Sequence, residues 1–218
     1  QTQFFRPVSH ELKTPLTIIK GELEGMLYGV GEYKDKNKYL KHSLKVADEM
    51  ENLIKEILSV AMIKDENFKL KEEDFNISKM LEKIYKKHNG LAEDKKIEII
   101  PNIQDSYNYK GDERLLEKAI SNIVGNAITY SPSKEKVFIT FKDNIINIEN
   151  TGIHIEEENL KQLFDPFFRI DKSRSRNTGG SGLGLYIAKT VFDYHKIQYK
   201  IENTKRGVLF TIILPSNR

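Results

Sequence analysis

The sequence predicts an α+β protein: a helical hairpin that pairs with a second copy into a dimeric four-helix bundle, followed by an α/β sandwich. Three observations carry this. Apolar residues recur at spacings of three and four across residues 5–61, the period of helices with one apolar face. Gly29, Gly31 and a polar run through Asn37 interrupt that pattern once. From about residue 75 the pattern becomes short alternating runs and further helical stretches, separated by turn residues.

The first helix follows from Phe5, Val8, Leu12, Leu16, Ile19, Leu23, Met26 and Val30. The second follows from Leu40, Leu44, Ala47, Met50, Ile54, Ile57 and Ala61. Two long amphipathic helices on a short turn make an antiparallel hairpin, and two helices alone leave much of such a stripe wet. Dimerisation buries it; packing on the downstream domain is the alternative. Because Phe4 and Phe5 already keep the apolar phase, the chain is expected to begin within a helix, as a piece of something longer.

Residues 1–64 thus form the hairpin, 65–74 a polar linker and 75–218 the sandwich. Within the last, Ile77–Asn89 reads as a helix that Ser78 can cap. Ile97–Ile100 and Tyr107–Tyr109 read as strands, and Asp112 can cap a helix running to about Thr129. Val137–Phe141 and Ile145–Glu149 alternate around Asp143-Asn144, a hairpin signal. Leu185–His195 reads as a helix, and Tyr199–Glu202 and Val208–Leu214 close as strands around Arg206-Gly207. The expected sheet is mostly antiparallel, with helices on one side.

Composition narrows the function. Hydrophobic residues are 39% and charged residues 31% of 218, enough for a core without staples. The net charge is only +3, and no basic stretch is interleaved with aromatics, which sets nucleic acid aside. Absence of cysteine excludes disulfides and thiol chemistry. No apolar run approaches the roughly 20 residues that span a bilayer, and no signal peptide opens the chain.

Three segments carry candidate chemistry. In Ser9-His10-Glu11-Leu12-Lys13-Thr14-Pro15-Leu16, His10 falls opposite the apolar stripe and Thr14 shares its exposed face. Pro15 removes an amide donor and clashes with the carbonyl of Glu11, so a kink is expected one turn from the imidazole. Glu11 can bond one ring nitrogen, which fixes the tautomer and leaves the other to attack. Asn122 and Asn126 share a helix face, and their amide carbonyls are hard oxygen donors suited to Mg²⁺. In Gly180-Ser181-Gly182-Leu183-Gly184-Leu185, alternating glycines open a helix whose amides can approach phosphate oxygens. No Gly-Lys-Ser/Thr follows, so this is not a Walker A loop, and the spacing is not that of a dinucleotide fingerprint. The preceding loop, 165–181, carries Lys172, Arg174 and Arg176, which either reach phosphates or keep a lid solvated.

Taken in order, these segments resemble the histidine kinases of two-component systems. Ser9–Leu16 is similar to their phospho-acceptor box and Asn122–Ala127 to their asparagine box. Asn150–Ile155 stands at their first glycine box, Phe164–Phe168 resembles the phenylalanine box, and Gly180–Leu185 the second glycine box. The resemblance implies a dimerisation and phosphotransfer hairpin followed by an ATP-binding domain of the Bergerat type. It further implies autophosphorylation of His10 from ATP and transfer to an aspartate of a response regulator. Glu11 is then the assisting base, and Thr14 positions water in a reverse, phosphatase reaction. Asn126 is the expected Mg²⁺ ligand, with Asn122 beside it. The nucleotide-contacting set implied is Asn122, Asn126, Tyr130, Asn150, Gly152, Ile155, Phe164, Lys172, Arg174, Gly180, Gly182, Leu183 and Gly184. The implied setting is the cytoplasmic portion of a membrane-anchored homodimeric sensor.

Three positions depart from the family pattern. An Asp that accepts from the adenine amino group is replaced by Asn150, and a Gly by His154. An Asn carbonyl still accepts from that amino group, and its NH₂ can donate to the neighbouring ring nitrogen. ATP binding is therefore expected to persist, weakened by loss of a charge-assisted bond. At residue 154 the backbone should avoid positive φ. Thr129 stands where the family often has a phosphate-touching cation. Asn150 with His154 is similar to the vancomycin-responsive branch of the family. The same departures motivate a rival expectation, a nucleotide-binding dimeric scaffold without kinase activity.

Overall fold

A computed structural model describes residues 2–104, 106–170 and 180–215, the first five by backbone alone. Two compact units divide between Met62 and Ile63.

The first unit holds α1 (Thr2–Tyr28), a 3-10 turn (Gly31–Lys34) and nearly all of α2 (Lys36–Ile63). Gly29 and Gly31 end α1 with φ of +63° and +57°, a region that costs glycine nothing. α1 runs unbroken through Pro7 and Pro15, so the prolines do not terminate it. The hairpin seam buries Val8 and Met26 of α1 and Val46 and Leu53 of α2. Leu40, Leu44 and Ile54 of the apolar stripe expected for α2 are exposed in the single chain, as are Leu16 and Leu23 of α1. α2 has two apolar faces of the same period, and the seam uses the one carrying Val46 and Leu53. A polar cluster sits within this seam. The buried Glu22 carboxylate accepts from Ser43 Oγ at 2.5 Å and lies 2.5 Å from His42 Nδ1.

The second unit contains β1 (Glu73–Asn76), α3 (Ile77–Lys95), β2 (Glu98–Ile103), β3 (Asn108–Gly111) and α4 (Glu113–Tyr130). It continues with β4 (Lys136–Lys142), β5 (Ile145–Thr151), α5 (Glu157–Leu160), α6 (Gly184–Tyr194), β6 (Gln198–Asn203) and β7 (Gly207–Ile213). Five strands form a sheet in the order β2-β4-β5-β7-β6, antiparallel except for the parallel pair β2/β4. α3 and α6 both pack against α4. Between helices and sheet lies a dry core of Leu116, Ile120, Ile128, Ile139, Ile148, Ile187 and Phe192, each at most 1% exposed.

Residues 65–74 are not a free linker. Glu73 and Asp74 belong to β1, which pairs antiparallel with β3. Phe68 meets Tyr194 edge-on at 5.7 Å, and Lys71 N–H donates to Asp112 Oδ2. The α3 cap is also corrected: Asn76, not Ser78, accepts from Lys79 N–H, and Ser78 is buried. Asp112 caps α4 as expected, by accepting from Leu115 N–H at 3.1 Å. Among the described residues no helix is long and apolar enough to cross a membrane.

Candidate functional site

The His10 side chain is 80% exposed on α1. Its Nδ1 lies 3.6 Å from Glu11 Oε1, ion-pair range but longer than a hydrogen bond. Thr14 Oγ1 donates to the His10 carbonyl at 3.3 Å, one turn along the same face.

In the second unit, α4 and the segment opening α6 meet through Asn122, whose Nδ2 donates to Gly184 O at 3.2 Å. That bond uses one of the two amide hydrogens and leaves Asn122 Oδ1 as an acceptor. Asn126, one turn on, is half-buried and has no partner among the described residues. A Cβ on Gly184 would meet Asn122 at 3.6 Å, and one on Gly180 would meet the Tyr130 hydroxyl at 3.7 Å. Gly184 thus lies beside Asn122, and Gly180 beside Tyr130.

Backbone geometry holds the glycine segment. Gly182 has φ +76°, and a Cβ there would lie 2.8 Å from the backbone of Phe167. Phe167 itself sits at φ +65° and donates its N–H to Gly182 O at 3.0 Å. Leu183 N–H turns to Ser181 Oγ, and α6 starts without a side-chain cap, so its first amides stay available to an anion.

At the end of β5 lies a second polar cluster. The buried Asn150 donates from Nδ2 to Ser131 Oγ at 3.2 Å, and Ser131 donates to Ala127 O at 2.7 Å. Gly152 has φ +80°, and any Cβ there would lie 2.5 Å from Glu135. His154 is outside the left-handed region, as its bulk requires, and its Nε2 lies 2.7 Å from Thr204 O. Ile155 is held at both backbone groups by Asn203, which accepts from its N–H at 2.9 Å and donates to its carbonyl at 2.7 Å.

Phe164 lies in an aromatic cluster with Tyr199 and Phe210, at 5.3 and 6.1 Å. Lys172, Arg174 and Arg176 lie outside the described residues, as does the side chain of Phe5. Thr129 offers no side-chain cation, and its carbonyl accepts from Lys95, an amine that burial shifts to a lower pKa.

Sequence reasoning missed Ser131, Glu135 and Asn203, because each acts through a partner distant in the chain. It also missed His195. Asp112 N–H donates to its Nε2 at 3.0 Å, and its Nδ1 bonds Val191 O at 2.8 Å. Both contacts require the neutral ring, and burial lowers its pKa.

The hairpin carries an exposed imidazole, and the second unit sets a glycine-rich helix start against Asn122. Residues 1–66 match the His Kinase A (phospho-acceptor) domain family. Residues 111–218 match the histidine kinase-, DNA gyrase B- and HSP90-like ATPases. The chain belongs to the sensor histidine kinases, and its second unit is their ATP-binding domain.

The chain is 36% identical to the sensor protein VanSB of Enterococcus faecalis over 219 residues, 99% of this chain and 49% of that protein. It is 30% identical to the sensor histidine kinase CusS of Escherichia coli over 220 residues, 99% and 46% respectively. The chain thus spans about half the length of these curated relatives. Among solved structures, the histidine kinase AdeS of Acinetobacter baumannii aligns with a TM-score of 0.76 at 25% identity, covering 95% of this chain and 98% of that one. The histidine kinase ThkA, solved in complex with the response regulator protein TrrA, shares the fold at TM-score 0.76 and 22% identity, covering 99% and 61%.

Proposed function

We propose that this chain, as part of a longer membrane-anchored sensor, transfers the γ-phosphate of ATP to His10 and passes it to an aspartate of a response regulator. The observation that carries this is the His10 ring, exposed on its helix with Nδ1 3.6 Å from Glu11 Oε1.

Nε2 attacks the γ-phosphorus in line, an N–P bond forms, the bond to the bridging oxygen breaks, and ADP leaves. The ring becomes cationic as that bond forms, and the Glu11 carboxylate offsets this charge and accepts the Nδ1 proton. A partner carboxylate then takes the phosphoryl group, with Nε2 as leaving group. Thr14, on the same face, would position water for the reverse hydrolysis. The phosphates would lie against the Gly180–Gly184 segment and the first amides of α6, with Tyr130 beside them. The adenine would be read by Asn150, with the turn through Gly152 and Ile155 beneath it.

Mg²⁺ fits the asparagine pair. Among the described residues no cluster of three His, Cys, Asp or Glu could cage a metal, whereas Asn126 has a free amide oxygen and Asn122 an uncommitted Oδ1. Such sparse hard-oxygen donors suit an ion that phosphates mainly hold. Asn126 would hold it with Asn122 adjacent, and the ion supplies neutralisation of phosphate charge. The seam's exposed outer face, with Leu16, Leu23 and Leu44, suits a homodimer.

Incubation with γ-labelled ATP tests the reading. The expected product is acid-labile, alkali-stable labelled protein, absent from His10→Gln while ATP binding persists. Bound ATP without any label would instead leave a nucleotide-binding scaffold.

A further inference from the structure

We propose that Ser131 is a positioning residue that locks the Asn150 amide in one orientation, carbonyl towards the nucleobase, so that this site discriminates against 6-oxo purines. The inference rests on the ATP reading above and concerns how that site selects its base.

A hydroxyl has one hydrogen. Ser131 gives its hydrogen to Ala127 O at 2.7 Å, in the last turn of α4. Towards Asn150, Ser131 Oγ therefore presents only lone pairs, and only the NH₂ side of the amide can bond it, as it does at 3.2 Å. Turning the amide over would set Oδ1 against those lone pairs, unless the hydroxyl abandoned Ala127. Ser131 and Asn150 are both buried, so water does not readily replace the lost bond.

Nor can the backbone of residue 150 shift to relieve such a clash. Asn150 is paired on one side with Val137 of β4 and on the other with Val208 of β7. Gly207 crowds it so closely that a Cβ there would lie 1.9 Å from Asn150 O. Asn150 Oδ1 has no partner among the described residues. It is a fixed acceptor, and a fixed acceptor selects a donor such as the exocyclic amino group of adenine. Hypoxanthine and guanine place a carbonyl there and would need the opposite amide orientation.

A carboxylate at residue 150 has no such orientation to lock, since both oxygens accept. Ser131 should therefore govern base choice only while residue 150 is an amide. This interdependence separates positioning from a merely structural role.

The experiment measures dissociation constants for ATP and ITP, both with magnesium, by calorimetry on the whole chain. Four proteins are compared: the wild type, Ser131→Ala, Asn150→Asp and the double variant. The wild type should prefer ATP. Ser131→Ala should cut that preference roughly five- to tenfold, about what one hydrogen bond is worth. In the Asn150→Asp background the same change should move it less than about twofold, within the scatter expected of uncoupled sites. Should Ser131→Ala fail to fold, Ser131→Cys keeps the volume, weakens the donor and carries the same comparison.

An unchanged preference in Ser131→Ala, or an equal change in both backgrounds, overturns the lock. A wild type that binds ATP without preferring it to ITP overturns it too, while leaving the ATP reading intact. A wild type that binds neither nucleotide overturns both.

Discussion

The two units solve the problem of burying apolar surface differently. In the second, sheet and helices enclose Phe192, Ile120 and Ile148 almost completely, and the polar groups that enter are fixed by partners in the same unit. In the first, Leu16, Leu27, Leu44 and Leu58 are each more than half exposed. One unit completes its own core; the other presents half of one. The nucleotide site therefore sits where side chains can be oriented to a fraction of an ångström. His10 sits on a helix that must meet other molecules.

Four measurements would break or sharpen that contrast. Phe192→Ala should cost the second unit about 3–5 kcal/mol by chemical denaturation, at any protein concentration, because the cavity lies within one chain. Gly207→Ala should cost about 3 kcal/mol and abolish nucleotide binding, since its Cβ would collide with Asn150 O. Calorimetry together with unfolding separates those two effects.

Acid should act on the second unit through His195 and His88, both held below the ordinary histidine value chiefly by burial. A depressed histidine pKa means the unfolded chain binds more protons at mildly acidic pH. Stability should then fall as pH drops below about 6.5, by up to about 1.4 kcal/mol per pH unit per ring, until each ring protonates in the folded state. His195→Gln should shallow that slope, as read from unfolding midpoints across pH.

The smallest effect is expected at Leu44→Ala. Measured on dissociated chains it should change stability by less than about 0.5 kcal/mol. At high protein concentration it should lower the hairpin's melting temperature, because the partner loses an apolar contact. A hairpin midpoint independent of concentration would place both units in the same class.

Legibility followed the range of the interactions involved. The α4 cap was readable because Asp112 and Leu115 are three residues apart, and the β4–β5 turn because Asp143 and Asn144 both take positive φ. How the apolar stripe of α2 divides was not, since Leu44 and Val46 are equally apolar and nothing local says which meets α1 and which is left exposed in the single chain. β1 escaped notice because Glu73 and Asp74 look like solvent-facing linker until β3 pairs with them. At the site, the exposed His10 was legible from helical periodicity, whereas Asn122 and Gly184, which the fold joins by a hydrogen bond, were grouped only through the family resemblance. Ser131, which reaches Asn150 across 19 positions, carries no local signature.

The rims of the five-stranded sheet bear on how copies of this protein meet. β2 carries Pro101, which offers no N–H, and β6 sets a Lys200–Glu202 pair along the opposite border. Neither border is an open template for a foreign strand, so crowding many copies together should not zip them edge to edge into aggregates. If copies pair as proposed, the exposed leucines of the hairpin, not the sheet, would carry the contact.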